Sequence, residues 1–252
     1  MDIFTIAILI LAGFFTGFAN TVAGGGSLVS LPVLIFLGLP PGIANATNRV
    51  AIFIQNIFGI AGFRSKGLKV KPYSFHLGLI ALAGAFLGAK VSVDLDDDLF
   101  NKIIAVILIF VMVLTVFNPV KKGVLTERLG TKHRIIGMIT FFGIGFYGGF
   151  IQVGVGFLIM GALTHINHFT LVQTNSAKVF IVFIYTSAAL AVFIYEGMIH
   201  WGYGLTLAVG NASGAWIASR LSVKKGDKWI KAFMFIMVIA MAIKLWFFSP
   251  SD

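Results

Sequence analysis

The chain has 252 residues, of which 58% are hydrophobic and 11% charged, and its formal net charge is +10. Soluble domains usually have about a quarter of their residues charged, so the composition excludes an ordinary soluble protein. The chain contains no cysteine, which excludes disulfides, thiol catalysis and cysteine-ligated metals.

Apolar runs separated by polar breaks follow one another along the first half of the chain. They predict helices over Ile3–Val22, Leu28–Leu37, Ala44–Phe63, Tyr73–Val93 and Leu99–Phe117. The second run can rise only about 15 Å, half the thickness of the hydrocarbon core, and is predicted to be one arm of a broken hairpin. Because Met1-Asp2-Ile3 lacks the basic region of a cleaved signal peptide, we expect the first run to be a retained membrane helix.

A polar, basic linker from Asn118 to Arg134 separates these runs from a second series. That series predicts helices over Ile135–Val153, Phe157–Leu163, Thr170–Tyr195, Gly202–Arg220 and Trp229–Phe248. Both series consist of a long run, a glycine break, a short run and three long runs. This order predicts an all-α membrane protein made of two repeats, residues 1–117 and 135–252, joined by the linker 118–134.

Glycines at a constant offset of 126 support the duplication. Gly78, Gly84 and Gly88 recur as Gly204, Gly210 and Gly214. The spacing Gly84/Gly88 and its counterpart Gly210/Gly214 are typical of close helix packing, which is the role that we predict for them.

Three connectors contain 14 of the 19 lysines and arginines, and the positive-inside rule predicts that all three are cytoplasmic. The acidic connector 94–98 and the connector Glu196–His200, which has no lysine or arginine, are expected outside. The run after the first basic connector then crosses outward, whereas its counterpart in the second half crosses inward. The pattern therefore predicts inverted repeats, with both termini outside the cell. The 14 basic residues are Arg64, Lys66, Lys69, Lys71, Lys121, Lys122, Arg128, Lys132, Arg134, Arg220, Lys224, Lys225, Lys228 and Lys231.

Two cations, Arg49 and Lys178, occupy matching positions within apolar runs. All nine carboxylates lie in connectors or at the termini, and a buried cation without a counter-ion is costly. A bound anionic substrate would neutralise both charges. The alternative is that both side chains reach the lipid headgroups. Neighbouring polar side chains join the predicted substrate site: Thr47, Asn48, Gln173, Asn175 and Ser176.

Glycine breaks supply the other part of the predicted site. Broken membrane helices expose backbone N–H groups and a positive dipole end, which favour an oxyanion. Ser27 is the expected N-cap of the helix after the first break. The alternative is a packing kink that binds no ligand. The predicted binding residues here are Gly24, Gly25, Gly26 and Ser27 in the first half, Gly154 and Gly156 in the second, and the preceding Asn20 and Gln152.

Motifs for enzymatic chemistry are missing from the sequence. There is no nucleotide-binding motif, and no serine sits in a nucleophile elbow with a histidine placed to serve it. His165 and His168 lie in a connector without further ligands, which favours interfacial histidines over a metal pair. We therefore expect no catalytic residue, no metal and no cofactor. The alternatives considered are a lipid-acting intramembrane enzyme and a membrane assembly partner.

The first-half motifs resemble those of the TauE/SafE sulfite exporter family. The similarity covers Gly13-Phe14-Phe15-Thr16-Gly17, Ala23-Gly24-Gly25-Gly26-Ser27, Leu31-Pro32-Val33-Leu34, Gly38-Leu39-Pro40-Pro41 and Ala44-Asn45-Ala46-Thr47-Asn48-Arg49, with a degenerate copy around Gly148–Gly156 and Ser176–Lys178.

This resemblance implies a permease of the inner membrane that exports sulfite or a related small sulfur-containing organic anion. Import of another oxyanion, sulfate or thiosulfate, is the alternative within transport. The expected partners are the small anionic substrate and the lipid bilayer, without nucleic acid, and a homodimer is left open.

Overall fold

The computed structural model describes residues 1–96, 99, 102–103 and 126–248, and all regular structure within them is helical. All but three residues of the predicted helix Leu99–Phe117, and residues 118–125 of the predicted linker, lie outside this range. Among the described residues, three helices are long and apolar enough to cross a bilayer: Ile3–Val22, Pro72–Val93 and Leu171–Tyr195. The described helices are α1 Ile3–Val22, α2 Ser27–Phe36, α3 Pro41–Arg64, α4 Pro72–Val93, α5 Thr131–Phe150, α6 Val155–Ile166, α7 Leu171–Tyr195 and α8 Trp201–Phe248.

The helix termini differ from the predicted runs for local reasons. α3 and α4 begin with proline, which lacks the N–H that the first turn leaves unpaired. Thr170 precedes α7 as its N-cap, in a capping box with Gln173. The last two predicted helices are merged in α8, which is interrupted at Gly226, where φ is 73° and ψ is −171°.

The predicted N-cap at Ser27 is wrong. Gly26 is the N-cap of α2, and Ser27 is the first helical residue. The Ser27 hydroxyl instead accepts a hydrogen bond from the Asn20 side chain, at 3.4 Å. Because Ser27 already has a helical backbone, it does not occupy the flanking position from which a residue caps α2.

Three helices run in one direction: α1, α3 and the part of α8 before Gly226. Gly13 lies against Leu207 and Gly17 against Asn211, so α1 and α8 are parallel. Along α3 and α8, the same order is seen from Thr47 beside Gly204 to Gly62 beside Ser219.

The helices α4, α5 and α7 run in the opposite direction. Gly84 lies against Phe142 and Gly88 against Phe146, so α4 and α5 are parallel. α3 and α7 are antiparallel, because Gly59 near the end of α3 contacts Val179 near the start of α7. Ala46 at the start of α3 packs in one cluster with Phe193 at the end of α7.

The small-residue pairs are helix-packing sites, as predicted. Added side chains at Gly84 and Gly88 would collide with backbone atoms of α5, and at Gly210 and Gly214 with backbone atoms of α1. The contact of α5 with α4 therefore repeats the contact of α1 with α8. In each case the first helix of one half packs on the fourth helix of the other half.

Several basic connectors meet at one end of the bundle, here called the basic end. Lys71 pairs with Glu127, and the Arg128 amide donates to the Asn167 carbonyl at 3.0 Å. The Asp227 carboxylate accepts hydrogen bonds from the amides of Leu171 and Val172, both at 3.0 Å. The opposite end carries Asp2, Asp94 and Glu196. The bundle is therefore electrostatically asymmetric along its axis.

Candidate functional site

The two glycine breaks meet in the middle of the bundle. Gly24 has a φ of 91° and lies directly against the backbone of Gly156. A Cβ atom on either residue would overlap the other break, so both positions require glycine. Gly154, with a φ of 70°, is the N-cap of α6. The breaks thus place the end of α1 and the start of α6 side by side.

Lys178 lies buried at the C-terminus of α1. Its Nζ donates to the Thr21 carbonyl at 3.1 Å and to Asn175 Oδ1 at 2.7 Å. Asn175 in turn donates to the Val22 carbonyl at 2.8 Å. The last carbonyls of a helix have no partner within it and form the negative end of its dipole. Lys178 and Asn175 therefore cap α1 from the second half of the chain.

Arg49 has the equivalent position at the C-terminus of α5. Its guanidinium donates to the carbonyls of Gly148 and Gly149 and to the side chains of Gln152 and Asn45. Asn45 completes the cap through the Phe150 carbonyl at 2.9 Å. The guanidinium also lies 5.6 Å from the ring centre of Phe193.

Each buried cation thus belongs to one half and caps a broken helix of the other. Their negative partners are backbone carbonyls and not carboxylate side chains, so the residue types in the sequence do not reveal them. Gln152 has a φ of 66°, a conformation that costs a non-glycine residue about 1–2 kcal/mol. The hydrogen bond from Arg49 holds this strained residue in place.

A small polar cavity of about 20 Å³ lies beside the junction of the breaks. Asn20 organises one wall, because its Oδ1 accepts from the Gly26 amide at 2.9 Å while its Nδ2 lies 3.4 Å from Gln55 Oε1. The Tyr185 hydroxyl is fully buried and has no partner within the described residues. The lining consists of Asn20, Ser27, Ile52, Gln55, Asn56, Gln152, Gly156, Lys178, Val179, Val182 and Tyr185.

Five of the sequence-predicted binding residues line this cavity: Asn20, Ser27, Gln152, Gly156 and Lys178. Other predicted residues do not line the cavity but form hydrogen bonds to residues that do, or build the two breaks. Arg49 holds Gln152, and Asn175 holds Lys178. Gly24, Gly25 and Gly26 form the turn of the first break, and Gly154 begins the helix after the second.

The remaining predicted residues lie outside the cavity. Thr47 accepts a hydrogen bond from the His200 amide at 3.0 Å, and Asn48 is buried among the helices. Gln173 belongs to the capping box of α7 and donates to Glu127 at 3.0 Å. Ser176 lines a separate cavity at the basic end.

Sequence reasoning missed Gln55, Asn56 and Tyr185, which also line the cavity. Gln55 accepts a hydrogen bond from Asn211 Nδ2 at 3.1 Å, which connects α3 to α8. A signal was present, because two adjacent amide side chains in the middle of a membrane helix are expensive without partners. Asn56 also follows Arg49 by seven residues, two turns of the same helix.

The cavity offers one ammonium group and several neutral donors, which suit a small oxyanion. No carboxylate lines it. No group of three histidine, aspartate or glutamate side chains able to hold a metal occurs within the described ranges. The arrangement is therefore chemically suited to an anion.

Comparison with protein families matches residues 9–245 to the family described as sulfite exporter TauE/SafE. A probable membrane transporter protein, ORF9 of Sinorhizobium sp., is 28% identical over 95% of this chain and 92% of its own length. A probable membrane transporter protein of Haemophilus influenzae is 26% identical over 95% and 94% of the two chains. YfcA of Escherichia coli K12, also a probable membrane transporter protein, is 25% identical over 95% and 89%. No solved structure matches the chain significantly.

Proposed function

The chain belongs to the TauE/SafE sulfite exporter family of membrane transporters, and we propose that it exports sulfite or a related small sulfur-containing organic anion. It is a transporter and not an enzyme. We further propose secondary transport, because the sequence has no motif for binding a nucleotide.

The observation that carries this proposal is the position of Lys178. It is a buried cation that lines a polar cavity at the junction of two broken helices. Within the described residues, its hydrogen bonds go only to neutral groups, the Thr21 carbonyl, the Asn175 amide oxygen and the Met160 sulfur. The charged form of Lys178 therefore has no carboxylate in the cavity wall to compensate it, and an anion would compensate it.

The small size of the cavity supports a compact substrate. Sulfite and small sulfonates present several oxygens on one sulfur atom. Polar groups from α3, α7 and the second break surround the cavity: the side chains of Lys178 and Tyr185 and the amides of Gln55, Asn56 and Gln152. We propose that these groups bind the oxygens, that Asn20 and Ser27 complete the site, and that Arg49 and Asn175 position its members.

Inverted repeats are the proposed basis of the transport cycle. The antiparallel directions of α1 and α5, of α3 and α7, and of α4 and the first part of α8 support this relation. Arg49 caps α5 near one end of the cavity, and Lys178 caps α1 near the other. In the proposed cycle, release of one cap opens the cavity to one side of the membrane while the other cap stays closed.

The proposed orientation in the inner membrane places the basic end in the cytoplasm and both termini outside. The contacts between basic connectors at one end of the bundle support this orientation through the positive-inside rule. An anion that leaves a negative-inside cell gains about 2.3 kcal/mol per charge per 100 mV, so export needs no coupling ion.

Import of sulfate or thiosulfate is the competing transport function, because the same cavity chemistry suits either oxyanion. Purified protein reconstituted in liposomes and loaded with a panel of anions tests the proposal. We expect sulfite or a small organosulfonate to leave the vesicles faster than sulfate, thiosulfate or chloride. Faster movement of sulfate or thiosulfate than of every sulfite-like anion would refute the proposed substrate class.

A further inference from the structure

A second polar cavity, of about 100 Å³, lies at the basic end between the start of α4 and the start of α7. It shares no lining residue with the central cavity. Its polar lining residues are Lys69, Lys71, Ser74, Gln173 and Ser176, and Phe169 forms part of its apolar wall.

Two buried hydroxyls in this cavity lack a partner. Ser74 is 0% exposed and Ser176 is 2% exposed, and neither Oγ atom forms a hydrogen bond within the part of the chain that is described. Leaving a buried hydroxyl without a partner costs about 1–3 kcal/mol. Two such groups lining one cavity indicate a ligand with several acceptor oxygens.

The basic residues around the cavity indicate that this ligand is an anion. Lys69 is exposed at the rim, and Lys71 lies 4.9 Å from the Phe169 ring centre. Both belong to a basic connector, so the cavity favours an anion. Ser176 lies five residues into α7, about 8 Å from its start, which is a depth suited to the membrane interface.

We propose that this cavity binds a phosphate group, supplied either by an anionic lipid headgroup or by free phosphate. A tetrahedral oxyanion accepts hydrogen bonds from both serine hydroxyls while the lysines balance its charge. Basic cavities between helices at the cytoplasmic surface are typical sites for anionic headgroups. The apolar wall formed with Phe169 suits the glycerol and upper acyl carbons of a lipid.

Glu127 holds two of the donors that the phosphate group needs. Its carboxylate accepts hydrogen bonds from Lys71 and from Gln173. These bonds lower the pKa of the Glu127 carboxyl, chiefly through Lys71, so the group is ionised at neutral pH. The ion pair is about one-third exposed, and pairs of this kind are weak. A phosphate group can therefore displace Glu127 from Lys71.

The test measures binding of phosphatidylglycerol to purified full-length protein by native mass spectrometry, with phosphatidylcholine as the comparison lipid. Thermal unfolding with added inorganic phosphate tests the free anion. The informative variants are Lys69→Gln with Ser176→Ala, and Glu127→Gln. Lys66→Gln is the matched control, because this exposed lysine of the same connector does not line the cavity.

We expect phosphatidylglycerol to bind the double variant about tenfold more weakly than the wild type, and Lys66→Gln to bind it normally. Glu127→Gln should bind it more tightly, because the competing carboxylate is gone. Binding of phosphatidylglycerol without stabilisation by inorganic phosphate assigns the site to a headgroup. Stabilisation by inorganic phosphate as well assigns it to phosphate in general. Equal lipid binding by the double variant and Lys66→Gln would overturn the proposal, whether or not the protein transports sulfite.

Discussion

Lys178 and Arg49 have similar partners but different access to the central cavity. Both cap helix ends through backbone carbonyls, yet only Lys178 lines the cavity. Their substitutions should therefore have different effects, although the sequence presents them as equivalent.

Lys178→Gln should abolish anion binding while the protein stays folded. Glutamine can still donate to the Thr21 carbonyl, but it removes the positive charge that the anion needs. Isothermal titration calorimetry with sulfite measures the binding, and thermal unfolding measures the folding. Binding as tight as in the wild type would exclude Lys178 from the site.

Arg49→Ala should mainly destabilise the protein. The carbonyls of Gly148 and Gly149 would lose their donors inside the bundle, at about 1–3 kcal/mol for each buried group left unpaired. Arg49→Lys should recover only part of the lost stability, because an ammonium cannot reproduce the forked contacts of the guanidinium. The measurement is the midpoint of thermal unfolding in detergent. An unchanged midpoint in Arg49→Ala would contradict the proposed cap.

Tyr185→Phe should weaken binding of the anion without affecting folding. The Tyr185 hydroxyl forms no hydrogen bond of ordinary geometry in the described part of the chain, so its removal should cost little stability. A hydrogen bond to a charged group contributes about 1.5–3 kcal/mol, which predicts at least about a tenfold loss of affinity. Tyr147→Phe is the control, because that hydroxyl donates to the Val153 carbonyl at 2.5 Å. The control should lose stability, and equal affinities in Tyr185→Phe and the wild type would remove Tyr185 from the site.

At the scale of the elements, the junction of the two breaks determines the shape of the cavity. Gly156→Leu should abolish transport, because even its Cβ would overlap the backbone of Gly24. Gly143→Ala is the control, since it lies on an exposed face of α5 with open space around it. Membrane insertion of both variants is checked by fractionation, and flux by reconstitution. Normal flux in an inserted Gly156→Leu variant would mean that the close contact of the breaks is dispensable.

The long elements could be predicted because apolar runs directly reflect membrane helices. The bounds of α1 match the predicted run Ile3–Val22, and α7 differs from its run by one residue. The helix breaks were visible as glycine clusters. Local cap geometry was not, because Ser27 bonds to Asn20 on a neighbouring helix instead of capping its own.

The candidate site was only partly predictable. Arg49 and Lys178 stood out by charge and by repeat position, but their partners are carbonyls about 100 and 157 residues away in the chain. Backbone groups have no sequence signature. Tyr185 was missed because a single polar residue in an apolar run does not indicate which face of its helix lines a cavity.

At the scale of the whole molecule, the direction of transport should follow the membrane potential. Export of an anion moves net negative charge outward, so a more negative interior should accelerate it. Vesicles with potassium gradients and valinomycin set the potential, and efflux of radiolabelled sulfite gives the rate. A rate independent of the potential would indicate electroneutral exchange or proton co-movement instead.

The central claim is that a small oxyanion crosses the membrane through the cavity at the junction of the two breaks. Efflux of radiolabelled sulfite from liposomes that contain wild-type protein, Lys178→Gln or Gly143→Ala tests it most directly. We expect saturable efflux from the wild type and from Gly143→Ala, and only the background leak of protein-free liposomes from Lys178→Gln. Equal efflux from Lys178→Gln and the wild type, with both proteins folded and inserted, would contradict it.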